Sequence, residues 1–146
     1  MTEEHIVTMV FPANVMAVWQ QAAPILRPSV DRAGTHTLED VRRSVMAGAA
    51  QLWVQWKDGK CESAVVTEFR PYPRGLWLNV WLWGADRDSK TDEEMFGLRL
   101  YEFADANQCV GFRVEGGRKG LGKLFKYLNT ERTVYSVLLK DLRKAA

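Results

Sequence analysis

At 146 residues the chain has the length of one domain and can bury a core large enough to fold without a disulfide or metal staple. With 47% hydrophobic and 26% charged residues it is neither disordered, collagenous nor of low complexity, and its apolar runs, such as Leu76–Trp83, fall far short of the ~18 residues that cross a bilayer. The net charge is +2, but Arg113–Ala146 carries nine basic and three acidic groups on a body with eleven basic and fifteen acidic ones. The acidic start, Met1-Thr2-Glu3-Glu4-His5, lacks the basic and apolar regions of a secretory signal, and only Cys61 and Cys109 occur, with no CxxC. A cytoplasmic protein with reduced thiols, no metal site and no membrane contact is expected.

His5–Val10 alternates and predicts a short strand. Asn14 is placed to cap a helix to about Ala23, with Val15, Trp19 and Ala22 on one face, and Pro24 and Pro28 predict a break after it. Thr37 with Asp40 three residues on is a variant capping box for a second helix with the stripe Leu38, Val41 and Val45, ending at Gly48. Leu52, Val54 and Trp56 alternate with Trp53, Gln55 and Lys57. Asp58-Gly59 is a type I′ hairpin signal, with Val65, Thr67 and Phe69 on the return strand. Pro71, Pro73 and Gly75 predict a loop. Leu76, Leu78, Val80 and Leu82 then alternate with Trp77, Asn79, Trp81 and Trp83, a pattern apolar on both sides that predicts a central strand. Strict alternation puts Trp77, Trp81 and Trp83 on one face.

Gly84–Lys90 reads as a polar loop. Thr91 with Glu94 predicts a capping box, with Asp92 and Glu93 at the positive end of the helix dipole. Phe96, Leu100, Phe103 and Ala104 form the stripe of that helix, which ends near Asn107. Val110, Phe112 and Val114 predict a fifth strand, Gly116–Gly120 a loop, Leu121–Leu128 a short fourth helix, Thr133–Leu139 a last strand, and Lys140–Ala146 a basic tail. The order β-α-α-β-β-β-α-β-α-β predicts one domain over residues 1–146. Its class is mixed α/β, with a mostly antiparallel sheet of six or seven strands flanked by four helices and a right-handed parallel crossover between Leu76 and Val114.

This order of elements, over nearly the whole chain, resembles the GNAT acyltransferase superfamily. Arg118–Asn129, R-K-G-L-G-K-L-F-K-Y-L-N, is similar to the family's fourth-helix segment. The resemblance implies that strands four and five splay apart and that acetyl-CoA threads the gap, with Trp81 and Trp83 as candidate lining residues. Members hold the CoA diphosphate with an R/Q-x-x-G-x-G/A loop between strand four and helix three, where glycines let backbone N–H groups converge on phosphate. Here that segment is Gly84-Ala85-Asp86-Arg87-Asp88-Ser89-Lys90-Thr91-Asp92-Glu93-Glu94, with one glycine and five carboxylates. Arg87 and Lys90 offset only part of the repulsion. A later glycine pattern, Gly117-Arg118-Lys119-Gly120-Leu121-Gly122, offers Arg118 and Lys119 as anion ligands or is a solvated turn. Many members place a general-acid tyrosine in the fourth helix; Phe125 falls there and has no proton to give, and Tyr127 points elsewhere on the helix.

Glu62, Glu68 and Glu115 are strand acids of the kind that act as a base, and nothing in the sequence selects one. His5 and His36 sit in no triad spacing. The aromatics lie on the acidic body, away from the basic end, which argues against nucleic acid as a partner. The chain is also similar to small GNAT-like proteins of tailed phages, which carry a G-R-x-G-aromatic turn; here Leu121 stands in the aromatic position. The first reading is a GNAT-fold protein without acetyltransferase activity and without a cofactor, a phage-type accessory or virion-associated protein that binds a protein partner or itself. The alternative is a CoA-dependent N-acetyltransferase with an atypical diphosphate loop and acetyl-CoA as its cofactor.

Overall fold

The computed structural model describes residues 5–86, 89–114 and, as backbone, 135–138. Six strands form one sheet in the order β1-β2-β3-β4-β5-β6: β1 Ile6–Val10, β2 Gln51–Lys57, β3 Lys60–Tyr72, β4 Gly75–Ala85, β5 Gly111–Val114 and β6 Tyr135–Leu138. All neighbours are antiparallel except β4 and β5. Among the described residues three α-helices accompany them: α1 Val15–Ala33, α2 Leu38–Met46 and α3 Glu93–Ala106. The mixed α/β class and the parallel β4-α3-β5 crossover are as expected. The fourth helix, expected at Leu121–Leu128, lies outside the described residues.

The sheet separates two cores. On one face Val15, Leu26, Val41 and Val45 of α1 and α2 pack on Leu52, Val54, Ala64, Val66 and Leu82. On the other, Phe96, Leu100 and Ala104 of α3 pack on Val7, Trp53, Val65, Leu78, Val80 and Phe112. Apolar burial on both faces is what makes β4 run as a near-continuous hydrophobic strand. Gly84 lets α1 lie directly on β4, since a Cβ there would overlap the carbonyl oxygen of Ile25.

Several local signals decide structure as read. Thr37 Oγ1 accepts the Asp40 N–H while the Asp40 carboxylate accepts the Thr37 N–H, a reciprocal capping box. The turn between β2 and β3 has positive φ at both Asp58 and Gly59, the type I′ geometry that favours this pair.

Others need correction. The helix expected to stop at Ala23 continues through Pro24 and Pro28 to Ala33 and ends on Gly34 at φ 67°. Both prolines face solvent, as does Gln20, so the carbonyls stripped of their helical N–H partners are left to water. Pro71 lies in β3 rather than in a loop, and Gly84 and Ala85 belong to β4. The cap of α3 is Asp92, whose carboxylate accepts the Met95 N–H, and not Thr91, whose hydroxyl bonds to Ser63. Trp81 and Trp83 do not share a face. The β3–β4 register slips so that Val66 faces Leu82 while Thr67 faces Val80, leaving Trp81 as the extra residue of a bulge. Trp81 therefore joins Leu82 on the α1/α2 side, and Trp83 joins the α3 side.

Candidate functional site

Three features of the sheet's central strands carry chemistry. The first is the edge of β4. Strand β5 pairs with it from Trp77 to Val80 over the described residues, which reach Val114, and β4 continues five residues further, paired there with β3. The bulge at Trp81 follows Val80 directly and turns the β4 backbone away from a flat ladder. The Trp83 N–H is taken by a side chain rather than by a strand: it donates to Ser29 Oγ of α1 at 3.3 Å. Trp81 packs edge-on to His36, with ring centroids 4.8 Å apart, and Trp83 tilts against Phe96 at 5.4 Å. Both indoles are therefore committed to the layers above and below the sheet.

The second feature is the head of α3. Gln55, fully buried on β2, donates its side-chain amide to the Lys90 carbonyl at 3.0 Å and to Glu62 Oε2 at 3.2 Å. Its oxygen accepts the Asp92 N–H at 2.6 Å. A second bulge, in which Gln55 faces Ser63 and Trp56 faces Cys61, turns both Glu62 and Ser63 toward this loop. His5 stands between two carboxylates, 3.9 Å from Glu62 and 3.8 Å from Asp92. A cavity of about 690 Å³ opens here, lined by His5 and Ser89 to Glu94. Its wall is rich in carboxylates, and the amides of Asp92 and Met95 are already bonded within the protein. The residues present do not fit a diphosphate at this helix end: the amides that would cradle it are occupied and the surrounding charge repels it.

The third is a polar patch on the α1/α2 face of β3, β4 and β5. Asn79 is the register partner of Glu68 on one side and of Arg113 on the other. Its Nδ2 donates to Glu68 Oε1 at 3.2 Å; its Oδ1, buried, has no hydrogen-bond partner among the described residues. The same Glu68 oxygen accepts from Arg70 Nε at 2.9 Å and pairs with Nη2 at 2.6 Å. Arg113 donates to Tyr72 Oη at 2.6 Å and lies 5.1 Å from the centre of that ring.

Of the residues singled out from sequence, Trp81 and Trp83 lie on opposite faces of β4. Lys90 presents an exposed side chain and uses its carbonyl to hold Gln55. Arg87, Arg118 and Lys119 lie outside the described residues, as do Glu115, Phe125 and Tyr127. Neither cysteine is placed as a nucleophile: burial pushes the Cys61 thiol up to about 12, with Asp86 adding to the rise, and burial raises Cys109 as well. No cluster of His, Cys, Asp and Glu suited to a metal occurs among the described residues, nor a helix long and apolar enough to cross a membrane. Gln55 and Asn79 were missed as functional residues. The available signal was a polar residue inside an otherwise apolar strand run.

No protein-family model and no curated protein matches this sequence. Solved structures do. An N-acyl amino acid synthase from uncultured soil microbes superposes with a TM-score of 0.68 at 10% identity, over 99% of this chain and 95% of that one. A GNAT family acetyltransferase from Brucella melitensis in complex with acetyl-CoA gives 0.64 at 10% identity, covering 94% and 89%. A ribosomal-protein-alanine N-acetyltransferase from Brucella melitensis biovar Abortus gives 0.60 at 12% identity, covering 84% and 86%. The chain has the fold of the GNAT acetyltransferases.

Proposed function

We propose that this protein is a CoA-thioester-dependent N-acyltransferase that holds the thioester arm along β4 and not its diphosphate at the head of α3. The observation that carries the reading is the bulge at Trp81, directly after the stretch of β4 that runs parallel to β5, with the Trp83 N–H beyond it given to Ser29 Oγ. In this reading the β4 edge beyond Val80 offers backbone donors and acceptors to an extended, amide-bearing arm, which pairs with it as a further strand would. Neighbours of the same fold solved with acetyl-CoA support the choice of thioester.

Acetyl-CoA supplies an activated acyl group. The acceptor amine forms a C–N bond to the acyl carbon, the C–S bond breaks, the amine gives up a proton and the departing sulfur takes one. In this reading Glu68, a strand acid on the α1/α2 face that neighbours Asn79, receives the amine proton. Arg118 and Lys119 are the preferred diphosphate ligands, since Lys90 leads into the acid-capped α3 and Arg87 stands between Asp86 and Asp88 in sequence.

A second reading is favoured by the saturated head of α3: a GNAT-fold accessory protein of the phage type that transfers nothing and binds a protein partner. Thermal melting with acetyl-CoA separates the two. Binding at a hundredfold over Kd adds ~2.7 kcal/mol. The transferase reading expects that stabilisation, and acceptor-dependent thiol release with it. No shift at millimolar acetyl-CoA leaves the accessory reading.

A further inference from the structure

Strand β1 is the edge of the sheet opposite β6 and pairs with β2 alone. Among the described residues, none of its backbone groups bonds to anything beyond that ladder. Bare edges are normally blunted by a charge, a proline or a bulge, because unpaired N–H and C=O groups template another strand. Ile6-Val7-Thr8-Met9-Val10 carries no charge and no proline, and its pairing with β2 runs without a bulge. Apolar side chains flank it: Ile6 is 56% and Phe11 62% exposed. The segments outside the described residues attach elsewhere. The chain passes into 115–134 from β5 and out of it into β6, at the opposite edge, and 139–146 follow β6.

We propose that β1 pairs antiparallel with β1 of a second copy of this chain, about a twofold axis through Thr8, so that two six-stranded sheets become one. Thr8 then faces Thr8 of the second copy, Val7 faces its Met9 and Ile6 faces its Val10. No like charges meet along the strand, and a Thr–Thr pair is a favourable cross-strand contact. Charge selects a second copy as the occupant. Helix α1 begins without a side-chain cap and without an acidic residue in its first turn, although the positive end of a helix dipole favours one. Glu3 and Glu4 precede β1 in sequence, but that five-residue strand, about 17 Å long, separates their end from their own α1. Antiparallel pairing sends them toward the start of the other copy's α1 instead. The pairing needs no transfer activity and stands apart from the transferase reading.

Sedimentation velocity over a concentration series of the full chain is the test. The expected result is a reversible dimer in the micromolar range, as suits a strand-sized interface. Thr8 is exposed, and Thr8→Lys and Thr8→Glu should each weaken the dimer about tenfold or more by setting like charges face to face. An equimolar mixture of the two variants should restore it. Thr8→Cys should cross-link to itself under diamide, because directly opposed strand residues lie about 4.5–5.5 Å apart at Cα, within disulfide reach. Ile6→Cys should not, since the twofold sets the two copies of residue 6 ~14 Å apart. The native Cys61 and Cys109 are buried and serve as the background. Melting curves check that each variant folds, and the two cysteine changes test the register without adding a charge. A chain that stays monomeric at near-millimolar concentration, a dimer indifferent to both charges at position 8, or cross-linking by Ile6→Cys in place of Thr8→Cys overturns the proposal. The first of these leaves a strand of another protein as the occupant of the edge.

Discussion

Gln55, in the middle of β2, and Asp92, at the head of α3, are joined by a 2.6 Å hydrogen bond from the Asp92 N–H to the Gln55 side-chain oxygen. The other end of the same amide holds the Lys90 carbonyl. A single buried side chain thus fixes the position of the loop that leads from β4 into α3, and it spends the helix's first amide on the protein's own core.

Replacing that amide should be expensive. Gln55→Leu keeps the volume roughly constant but strands a backbone donor and a backbone acceptor. At about 1–3 kcal/mol for each unsatisfied group, partly relieved by water, the expected loss is about 3 kcal/mol, or roughly 10 °C in Tm. Urea denaturation measures it; a change under about 0.5 kcal/mol would show that the loop is held by something else.

The capping box of α2 gives a pH prediction. The Thr37 N–H, and after it the Thr37 hydroxyl, holds the Asp40 carboxyl below its ordinary range. A depressed carboxylate contributes its stability above the unfolded value, near 3.9, and loses it as pH falls through the lower folded value. The wild-type advantage over Asp40→Asn in urea midpoint should therefore be flat above pH 5 and vanish toward pH 2. A difference that persists undiminished at pH 2 contradicts the assignment.

That capping box was legible in the sequence because its partners are three residues apart, and the Asp58-Gly59 hairpin because its turn chemistry is local. The α3 stripe was legible for the same reason: Phe96, Leu100 and Ala104 repeat at the helical period and are all fully buried. What could not be read depended on contacts between distant segments. The α1 prolines break a helix only when their freed carbonyls are buried, and whether they are is decided by the sheet below. A bulge leaves no mark in hydrophobic alternation, so Trp81 and Trp83 were assigned a common face. Asn79 and Gln55 sat in apolar runs as apparent exceptions, and their roles appear only once β3 and α3 are beside them. The charge of the acid-rich turn could be read from the sequence; that the Asp92 and Met95 amides are bonded to Gln55 and Asp92 could not, because Gln55 lies on a distant strand.

Ser29 provides a prediction on the β4 edge itself. Its hydroxyl accepts the Trp83 N–H at 3.3 Å and so competes with any ligand that would use that donor. Ser29→Ala removes the competitor. A neutral hydrogen bond is worth about 1 kcal/mol, so acetyl-CoA affinity should tighten roughly fivefold by calorimetry. Unchanged or weaker binding would exclude the Trp83 N–H as a ligand donor.

The central claim, that the thioester arm lies along β4 while the head of α3 stays out of the ligand, is tested most directly by backbone amide NMR during titration with acetyl-CoA. The account predicts the largest shifts at Trp81, Trp83 and Gly84 and none at Asp92 and Met95. Shifts concentrated at Asp92, Glu93 and Met95, or an unchanged spectrum at millimolar acetyl-CoA, would contradict it.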